Sequence, residues 1–377
     1  MGNGSSKLVE RTRGTKTKAT NALKERLQEL AKEIIAGEIA SDTRFAKICD
    51  LWLEELKREY KLAGKSPQTP RLYEGYVRNW IKPHLGELQA REIRAMACNR
   101  LIQKGRDKSF ETAKSLRAVL SGICAFAVRF GAMDVNPVKS TSRLAKGKKR
   151  DVKAMTLEQR HDLLTKLEEY GRKRSVDAKG RSLGRRAQVW QDLPDIVRAM
   201  LATGSRLGEL LALDGDEIEP SKKTVLLGHH IVREPGVGLL RMDGRKGGEP
   251  GLLLRAPDWS VPMWRRRKLA SGGGPLFPSW NGEWQDPGNV IKRIRQAMDE
   301  CGFEWVTSHV WRKTVATVLD EADLPTTAIA DQLGNTTKVV EEHYRAKRVA
   351  NEATADALEN ILRDDDGGQH GEEAEAE

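Results

Sequence analysis

Hydrophobic residues in the first 140 positions recur every three or four residues, which is the spacing of one face of an α-helix. In the segment 44–61, RFAKICDLWLEELKREYK, they stand at Phe45, Ile48, Leu51, Trp52 and Leu56. The segment 66–86, SPQTPRLYEGYVRNWIKPHLG, begins with polar residues typical of the start of a helix. It predicts an amphipathic helix that ends at Pro83. Both patterns predict helices that bury one side.

The clearest of these helical patterns occupies 109–137, SFETAKSLRAVLSGICAFAVRFGAMDVNP. Its predicted core face consists of Leu116, Val119, Leu120, Ile123, Ala127 and Phe130. Ser109 is expected to begin the helix, while Gly131 and Pro137 are expected to close it. A weaker pattern at 15–37, with apolar residues from Leu23 to Ile34, predicts one more helix before Gly37.

The pattern changes after residue 154, where helical segments enclose three short runs of apolar and β-branched residues. These runs are 224–234, 238–244 and 251–257, and turns rich in Gly and Pro separate them. Helical spacing then resumes at 289–302 and continues towards residue 346. The fold class predicted for the whole chain is mainly α with one small antiparallel β-sheet.

These patterns divide the chain into five stretches. They are an N-terminal helical segment at 1–40, a helical domain at 41–140, a basic linker at 141–153, a second domain at 154–362 and an acidic tail at 363–377. The tail is almost free of large apolar groups and is expected to be disordered. The linker carries many Lys and Arg residues, so it either runs along a phosphate backbone or is simply solvated.

Charge narrows the classes of partner. A net charge of +11 and a pI of about 9.4 favour an anionic partner, most often nucleic acid, although a solvated basic surface has the same composition. The four cysteines are far apart, which indicates neither a disulfide framework nor a zinc site. No apolar run approaches the roughly 18 residues of a membrane helix. A cytoplasmic protein without membrane contact, metal or cofactor is expected.

Several short motifs in the second half carry candidate chemistry. In 202–213, ATGSRLGELLAL, Gly204 interrupts a helix and Ser205 is expected to cap the next one. Glu209 follows Arg206 by three residues, close enough to orient its guanidinium. An exposed arginine in a helix–turn–helix is the competing interpretation. In 308–314, SHVWRKT, the spacing of His309 and Arg312 places both on one face of a helix.

A lysine and a tyrosine complete the set. Lys246 stands in the Gly-rich turn 242–251, MDGRKGGEPG, where a surface turn lysine is the alternative. The segment 332–346, QLGNTTKVVEEHYRA, carries Asn335 and Tyr344, and the latter is one of only five tyrosines. In this order and spacing, the pieces resemble the tyrosine recombinase family of phage-type integrases. The resemblance spans 154–362, and 41–140 is similar to the helical core-binding domain of that family.

The resemblance implies a role for each residue. Arg206 and Arg312 would clamp the scissile phosphate, and His309 would bind it and assist proton transfer. Lys246 would protonate the leaving 5′ oxygen, and Tyr344 would be the nucleophile. Asn335 takes a place where the family usually has histidine, less often tryptophan, and an amide cannot carry a proton. The chemistry is consistent, because a phenol with a pKa near 10 needs a cationic surround to react as a phenolate.

The implied function is that of a site-specific DNA recombinase, an integrase of a phage or mobile element that works through a 3′-phosphotyrosine. Its partners would be double-stranded DNA attachment sites, a homotetramer on DNA, a DNA-bending host factor and an excisionase. A resolvase of replicon dimers and a DNA-binding relative without catalysis remain as alternatives. The residues expected to face DNA are Thr69, Arg71, Tyr73, Lys114 and Arg117. Residues 1–40 would be the remnant of an arm-binding domain.

Overall fold

The computed structural model describes residues 12, 14–15, 17–23, 39–145, 147, 153–234 and 236–343. Within the predicted N-terminal helix 15–37, residues 17–23 are helical and 24–37 lie outside the described residues. The acidic tail lies outside them as well. Most of the described residues lie in two parts of the chain, 39–145 and 153–343. Of the basic linker 141–153, only 141–145, 147 and 153 are among them.

The first part is helical and has a hydrophobic core of its own. Its helices are α1 Phe45–Leu62, α2 Gln68–Tyr76, α3 Lys82–Leu85, α4 Ala95–Lys108 and α5 Phe110–Arg129. The apolar stripe predicted for α5 is confirmed, because Leu116, Val119, Leu120, Ile123 and Ala127 are buried, while Phe130 is half-buried against the same core. Ser109 caps this helix as predicted, since its hydroxyl accepts a bond from the Thr112 amide at 3.0 Å.

The end predicted for the second helix at Pro83 is wrong, because the helical path continues to Leu85. A π-helical turn at Val77–Ile81 joins α2 to α3, and the Lys82 amide bonds to the Val77 carbonyl five residues back. Pro83 then falls in the first turn of α3, where its missing N–H costs little. The widened turn thus allows proline inside a continuous helical segment.

The second part surrounds two small sheets with helices. The helices are α6 Leu157–Lys173, α7 Arg185–Gln191, α8 Leu193–Thr203, α9 Leu207–Leu210, α10 Val261–Ser271, α11 Pro287–Glu300, α12 Ser308–Glu321, α13 Thr326–Leu333 and α14 Thr337–His343. The strands are β1 Ile218–Glu219, β2 Thr224–Leu227, β3 His229–Glu234, β4 Gly238–Asp243 and β5 Leu252–Arg255. The mainly α fold class with a small antiparallel β component is confirmed.

The β region differs from the single sheet expected. Gly228 divides the run 224–234, so β2 joins the order β1–β2–β5 while β3 pairs only with β4. All pairs are antiparallel, with Val225 opposite Leu254 and Val232 opposite Leu240. The chain leaves β4 through a tight turn at 244–249, and this turn carries Lys246.

The core of the second part draws on α6, α8, α10, α11 and the sheets. A smaller cluster packs α12 against α13 and α14 through Val315, Ile329, Leu333 and Val340. This cluster packs the end of α13, at Leu333, against α12, the helix that carries His309 and Arg312. None of the described helices is both long and apolar enough to span a bilayer.

Candidate active site

A cleft of about 840 Å³ lies between the two parts of the chain. Four of the predicted site residues line it together: Arg206, Lys246, His309 and Arg312. The connection between α1 and α2, from Tyr60 to Thr69, forms the opposite wall. These four predicted residues, up to 106 positions apart in sequence, therefore line one surface that carries several positive charges.

Arg206 owes its position to the break between α8 and α9. Its backbone is extended, and Glu209 accepts bonds from the Arg206 amide at 2.9 Å and from its guanidinium Nη1 at 2.8 Å. The predicted orientation of Arg206 by Glu209 is confirmed. The cap predicted at Ser205 is wrong, because α9 begins one residue later and the Ser205 hydroxyl lies 2.9 Å from Thr203 Oγ1.

Gly204 permits this break. It ends α8 in the left-handed region with φ of 69°, and a Cβ there would lie 2.6 Å from Leu333 Cδ2. The left-handed conformation therefore favours glycine, and a Cβ would also displace the buried side chain of Leu333. The turn after α8 is in this way packed directly onto the end of α13.

Arg312 is almost fully buried, at 1% exposed, although its side chain reaches the cleft. Its Nη1 donates to the Gly204 carbonyl at 2.5 Å and its Nη2 to the Leu333 carbonyl at 2.6 Å. These bonds fix the guanidinium between the turn that presents Arg206 and the turn that presents Asn335. A charge held in this way is preorganised for an anion.

Asn335 joins the site through Arg206. Its Oδ1 accepts a bond from Arg206 Nη2 at 2.9 Å, while its buried Nδ2 has no hydrogen-bond partner among the described residues. The amide therefore helps to hold Arg206 and keeps one donor unused. Tyr344, the predicted nucleophile, lies outside the described residues, which reach 343 at the end of α14.

His309 lies on the open side of the cleft, on the same helix as Arg312. Partial loss of hydration lowers the pKa of His309 below its ordinary value of 6.5, and the charges of Arg312, Lys246 and Arg206 lower it further. The ring is therefore neutral at neutral pH and is able to accept a proton. That state is the one a proton acceptor beside a phosphate requires.

Of the five predicted DNA-facing residues, two line a cleft, one packs against the core and two line neither cleft. Thr69 lines the cleft, and Arg71 lines a second cleft of about 460 Å³ that shares Gln68, Ile231 and Pro287 with the first. Tyr73 is half-buried and stacks on Trp52 with ring centroids 6.1 Å apart, so its ring packs against the core. The apolar spacing of a helix in the sequence does not distinguish a tyrosine whose ring packs against the core from a tyrosine whose ring faces the solvent.

The other two predicted DNA-facing residues line neither cleft. Lys114 is exposed and lies 3.9 Å from Glu111, and Arg117 donates to the Ser142 carbonyl at 3.3 Å. Residues that the sequence did not single out also lie beside the cleft, among them His230 on β3 and Arg245 next to Lys246. The sequence alone does not show that Arg245, which stands next to Lys246 in the same Gly-rich turn, has a role different from that of the lysine. No group of three or more potential metal-binding side chains occurs within the described ranges.

Comparison with known proteins agrees with this geometry. No family model matches the chain. The chain is 25% identical over 323 residues to a tyrosine recombinase XerC-like protein of Caldanaerobacter subterraneus, covering 78% of this chain and 76% of the other. The chain thus resembles the tyrosine recombinase family over most of its length, as its sequence motifs predicted.

Solved structures show the same fold. A fragment of the Tn1549 transposon integrase with transposon right-end DNA superposes with a TM-score of 0.62 at 16% identity, covering 85% of this chain and 99% of the fragment. A λ integrase tetramer on a Holliday junction gives a TM-score of 0.53 at 17% identity, covering 80% of this chain and 78% of the other. Coverage of this extent includes residues from both parts of the chain.

Proposed function

We propose that this protein is a recombinase that cuts and rejoins DNA at specific sites through a covalent bond between Tyr344 and a 3′ phosphate. The observation that carries the proposal is the convergence of Arg206, Lys246, His309 and Arg312 on one cleft. Support also comes from the Tn1549 and λ integrases, which have this fold and are bound to DNA in their structures.

Fixed cations would perform most of the catalysis. The negative charge on the non-bridging oxygens of a phosphodiester increases as a nucleophile attacks, and guanidiniums bind such oxygens with paired donors. Arg206 and Arg312 are held by Glu209 and by backbone carbonyls, so little reorganisation is needed when a phosphate arrives. Asn335 would add one amide donor or keep Arg206 aligned.

The reaction balances without an outside energy source. The Tyr344 oxygen bonds to phosphorus, the bond from phosphorus to the 5′ oxygen breaks, and neutral His309 takes the phenolic proton. Lys246 gives a proton to the leaving 5′ oxygen. A 5′ hydroxyl from the partner DNA then attacks the phosphotyrosine and reverses these transfers, since the covalent bond has conserved the phosphodiester energy.

The rate of cleavage should depend on pH through His309. Because its pKa is lowered from 6.5, the ring stays neutral as the pH falls from neutrality to 6.5, and the rate should remain level there. Below that value protonation removes the acceptor and the rate should fall. Single-turnover cleavage at several pH values measures this, and His309→Gln should be slow and lack the fall. A fall centred above pH 6.5 would contradict the role.

Arg71 offers a test of the DNA path. It lines the second cleft with Arg233 and Lys292, where Arg233 is paired with Asp286. We propose that the duplex extends from the first cleft across this basic surface. Arg71→Ala should weaken duplex binding and reduce the slope of log K against log salt by about 1. Lys114→Ala, which removes a lysine outside both clefts, is the control, and an equal effect of both changes would argue against this path.

The wider assembly follows from the same proposal. The substrates would be paired double-stranded attachment sites, bound by a homotetramer such as the λ integrase forms on a Holliday junction. The helical part within 41–140 would be the core-binding domain and 154–362 the catalytic domain. Integration of a phage or another mobile element is the proposed purpose, in the cytoplasm, with a DNA-bending host factor and an excisionase as accessories.

A nicked suicide substrate tests the function directly. A nick close to the cleavage site lets a short product diffuse away, so the protein–DNA adduct accumulates and survives denaturing electrophoresis. Wild-type protein should form the adduct on DNA from the attachment site of its own element, and Tyr344→Phe should bind that DNA without forming it. Tight binding by the wild type with no adduct would instead identify a DNA-binding relative without catalysis.

A further inference from the structure

We propose that Arg245 is a positioning residue that locks the turn carrying Lys246 onto the turn carrying Asn335. The inference rests on the proposed function, in which Lys246 protonates the leaving 5′ oxygen. Arg245 is 5% exposed, so its guanidinium faces the protein interior while Lys246 beside it faces the solvent. Two adjacent basic residues in one short turn thus have opposite orientations.

The backbone of this turn is tightly closed. The Arg245 amide donates to the Glu249 carbonyl at 2.8 Å, and the Gly248 amide donates to the Arg245 carbonyl at 3.1 Å. At the base of the turn, His230 Nδ1 donates to the Gly244 carbonyl at 2.7 Å. No side-chain hydrogen bond of Lys246 occurs among the described residues. The place of its ammonium group therefore depends on where the turn itself is held.

The guanidinium of Arg245 holds the turn from below. Its Nε donates to the Pro250 carbonyl at 2.9 Å, and its Nη1 donates to the Gly334 carbonyl at 3.1 Å across 89 positions of sequence. Gly334 has φ of 56°, and a Cβ there would lie 1.6 Å from Arg245 Nη1. The guanidinium thus occupies the space where a side chain at 334 would stand, and the left-handed backbone at this position favours glycine.

Three arginines converge on three successive residues. Arg312 donates to the Leu333 carbonyl and Arg206 to the Asn335 side chain, and Arg245 donates to the Gly334 carbonyl between them. The first two are the proposed phosphate ligands. Arg245 therefore connects the Lys246 turn to the same three residues that fix the two phosphate-binding guanidiniums.

This connection sets the distance between the proton donor and the phosphate. Proton transfer needs the donor within hydrogen-bond reach of the leaving oxygen, and a misplacement of 1 Å can cost about 10²-fold in rate. Arg245 donates to two backbone carbonyls and is 5% exposed, so its guanidinium is not positioned to bind DNA itself. Its effect on the reaction would pass through Lys246.

The test replaces the leaving oxygen with sulfur. Arg245→Met keeps the length of the side chain and removes its hydrogen bonds, so adduct formation on ordinary nicked DNA should fall by about 10–100-fold. A 5′-bridging sulfur leaves as a thiolate, since a thiol has a pKa near 8.5 and departs without a proton. On that DNA the variant should cleave within a few fold of the wild type. Lys246→Ala should be rescued in the same way, and Arg206→Ala should remain slow on both substrates.

The outcomes separate this proposal from the proposed function. If Arg245→Met equals the wild type on ordinary DNA, or is equally slow on both DNAs while Lys246→Ala is rescued, Arg245 does not position Lys246. Wild-type protein that forms no adduct would overturn the proposed function, and this inference with it. If Arg245→Met does not fold, Arg245→Lys takes its place, because lysine can reach one of the two carbonyls. Its smaller loss must then also be rescued by sulfur.

Discussion

Replacing Arg206 with alanine should slow formation of the covalent adduct by about 10²–10³-fold, the loss typical of removing one preorganised donor to a developing oxyanion. Its guanidinium faces the cleft and is aligned by Glu209 and Asn335. Water that fills the vacated space reorients during the reaction and stabilises the phosphate charge less well. A single-turnover assay on nicked DNA, with protein in excess, measures the change in the chemical step.

Two controls accompany the alanine variant. Arg206→Lys keeps the charge but loses the fork of donors, so its rate should lie between those of the wild type and the alanine variant. Arg206→Ala also leaves the Glu209 carboxylate, 2% exposed, without its charged partner, which should lower the free energy of unfolding by about 1–3 kcal/mol. Urea unfolding shows whether the protein remains folded during the assay. Wild-type rates in both variants would contradict the assignment.

Replacing Arg312 with alanine should damage catalysis and stability together. The side chain is 1% exposed and donates to the Gly204 and Leu333 carbonyls, which join two turns of the site. Losing these charge-assisted bonds should reduce the free energy of unfolding by about 2–5 kcal/mol. Adduct formation should fall by at least as much as in Arg206→Ala, because the positions of both turns change as well.

Lys313→Ala provides the matched control, since it removes one positive charge from the adjacent position of the same helix. No hydrogen bond or ion pair of Lys313 is found in the described part of the chain. The free energy of unfolding of the Lys313→Ala protein should therefore differ from that of the wild type by less than about 0.5 kcal/mol. Urea unfolding of both variants gives the comparison. Equal midpoints would show that Arg312 does not hold the two turns.

Local patterns were sufficient to predict two helices of the first part, α1 and α5. The apolar spacing that placed Leu116 and Ile123 in the core depends only on the period of a helix, and Ser109 capped its helix through a contact three residues away. The errors arose where the backbone changed its hydrogen bonding. The π turn before Pro83 moved the end of one helix, and Gly228 separated two strands that had been expected in one sheet.

The sequence identified residues that meet in the cleft, but it did not predict the long-range hydrogen bonds that connect them. The three-residue spacing of His309 and Arg312 placed both on one helix, and Glu209 is near enough to Arg206 for their contact to be expected. The bond from Arg245 to Gly334 joins positions 89 apart, and no local pattern reports such a contact. Tyr73 shows the reverse problem, because its packing on Trp52 depends on how two helices meet.

The central claim is that this cationic cleft directs Tyr344 to a DNA phosphate. Mass spectrometry of the purified adduct, after digestion with trypsin and a nuclease, tests it most directly. Cleavage after Lys338 and Arg345 releases the peptide 339–345, VVEEHYR. The account predicts that this peptide carries a nucleotide joined to the Tyr344 oxygen through its 3′ phosphate. A nucleotide on any other residue, or an adduct of unchanged yield in Tyr344→Phe, would contradict it.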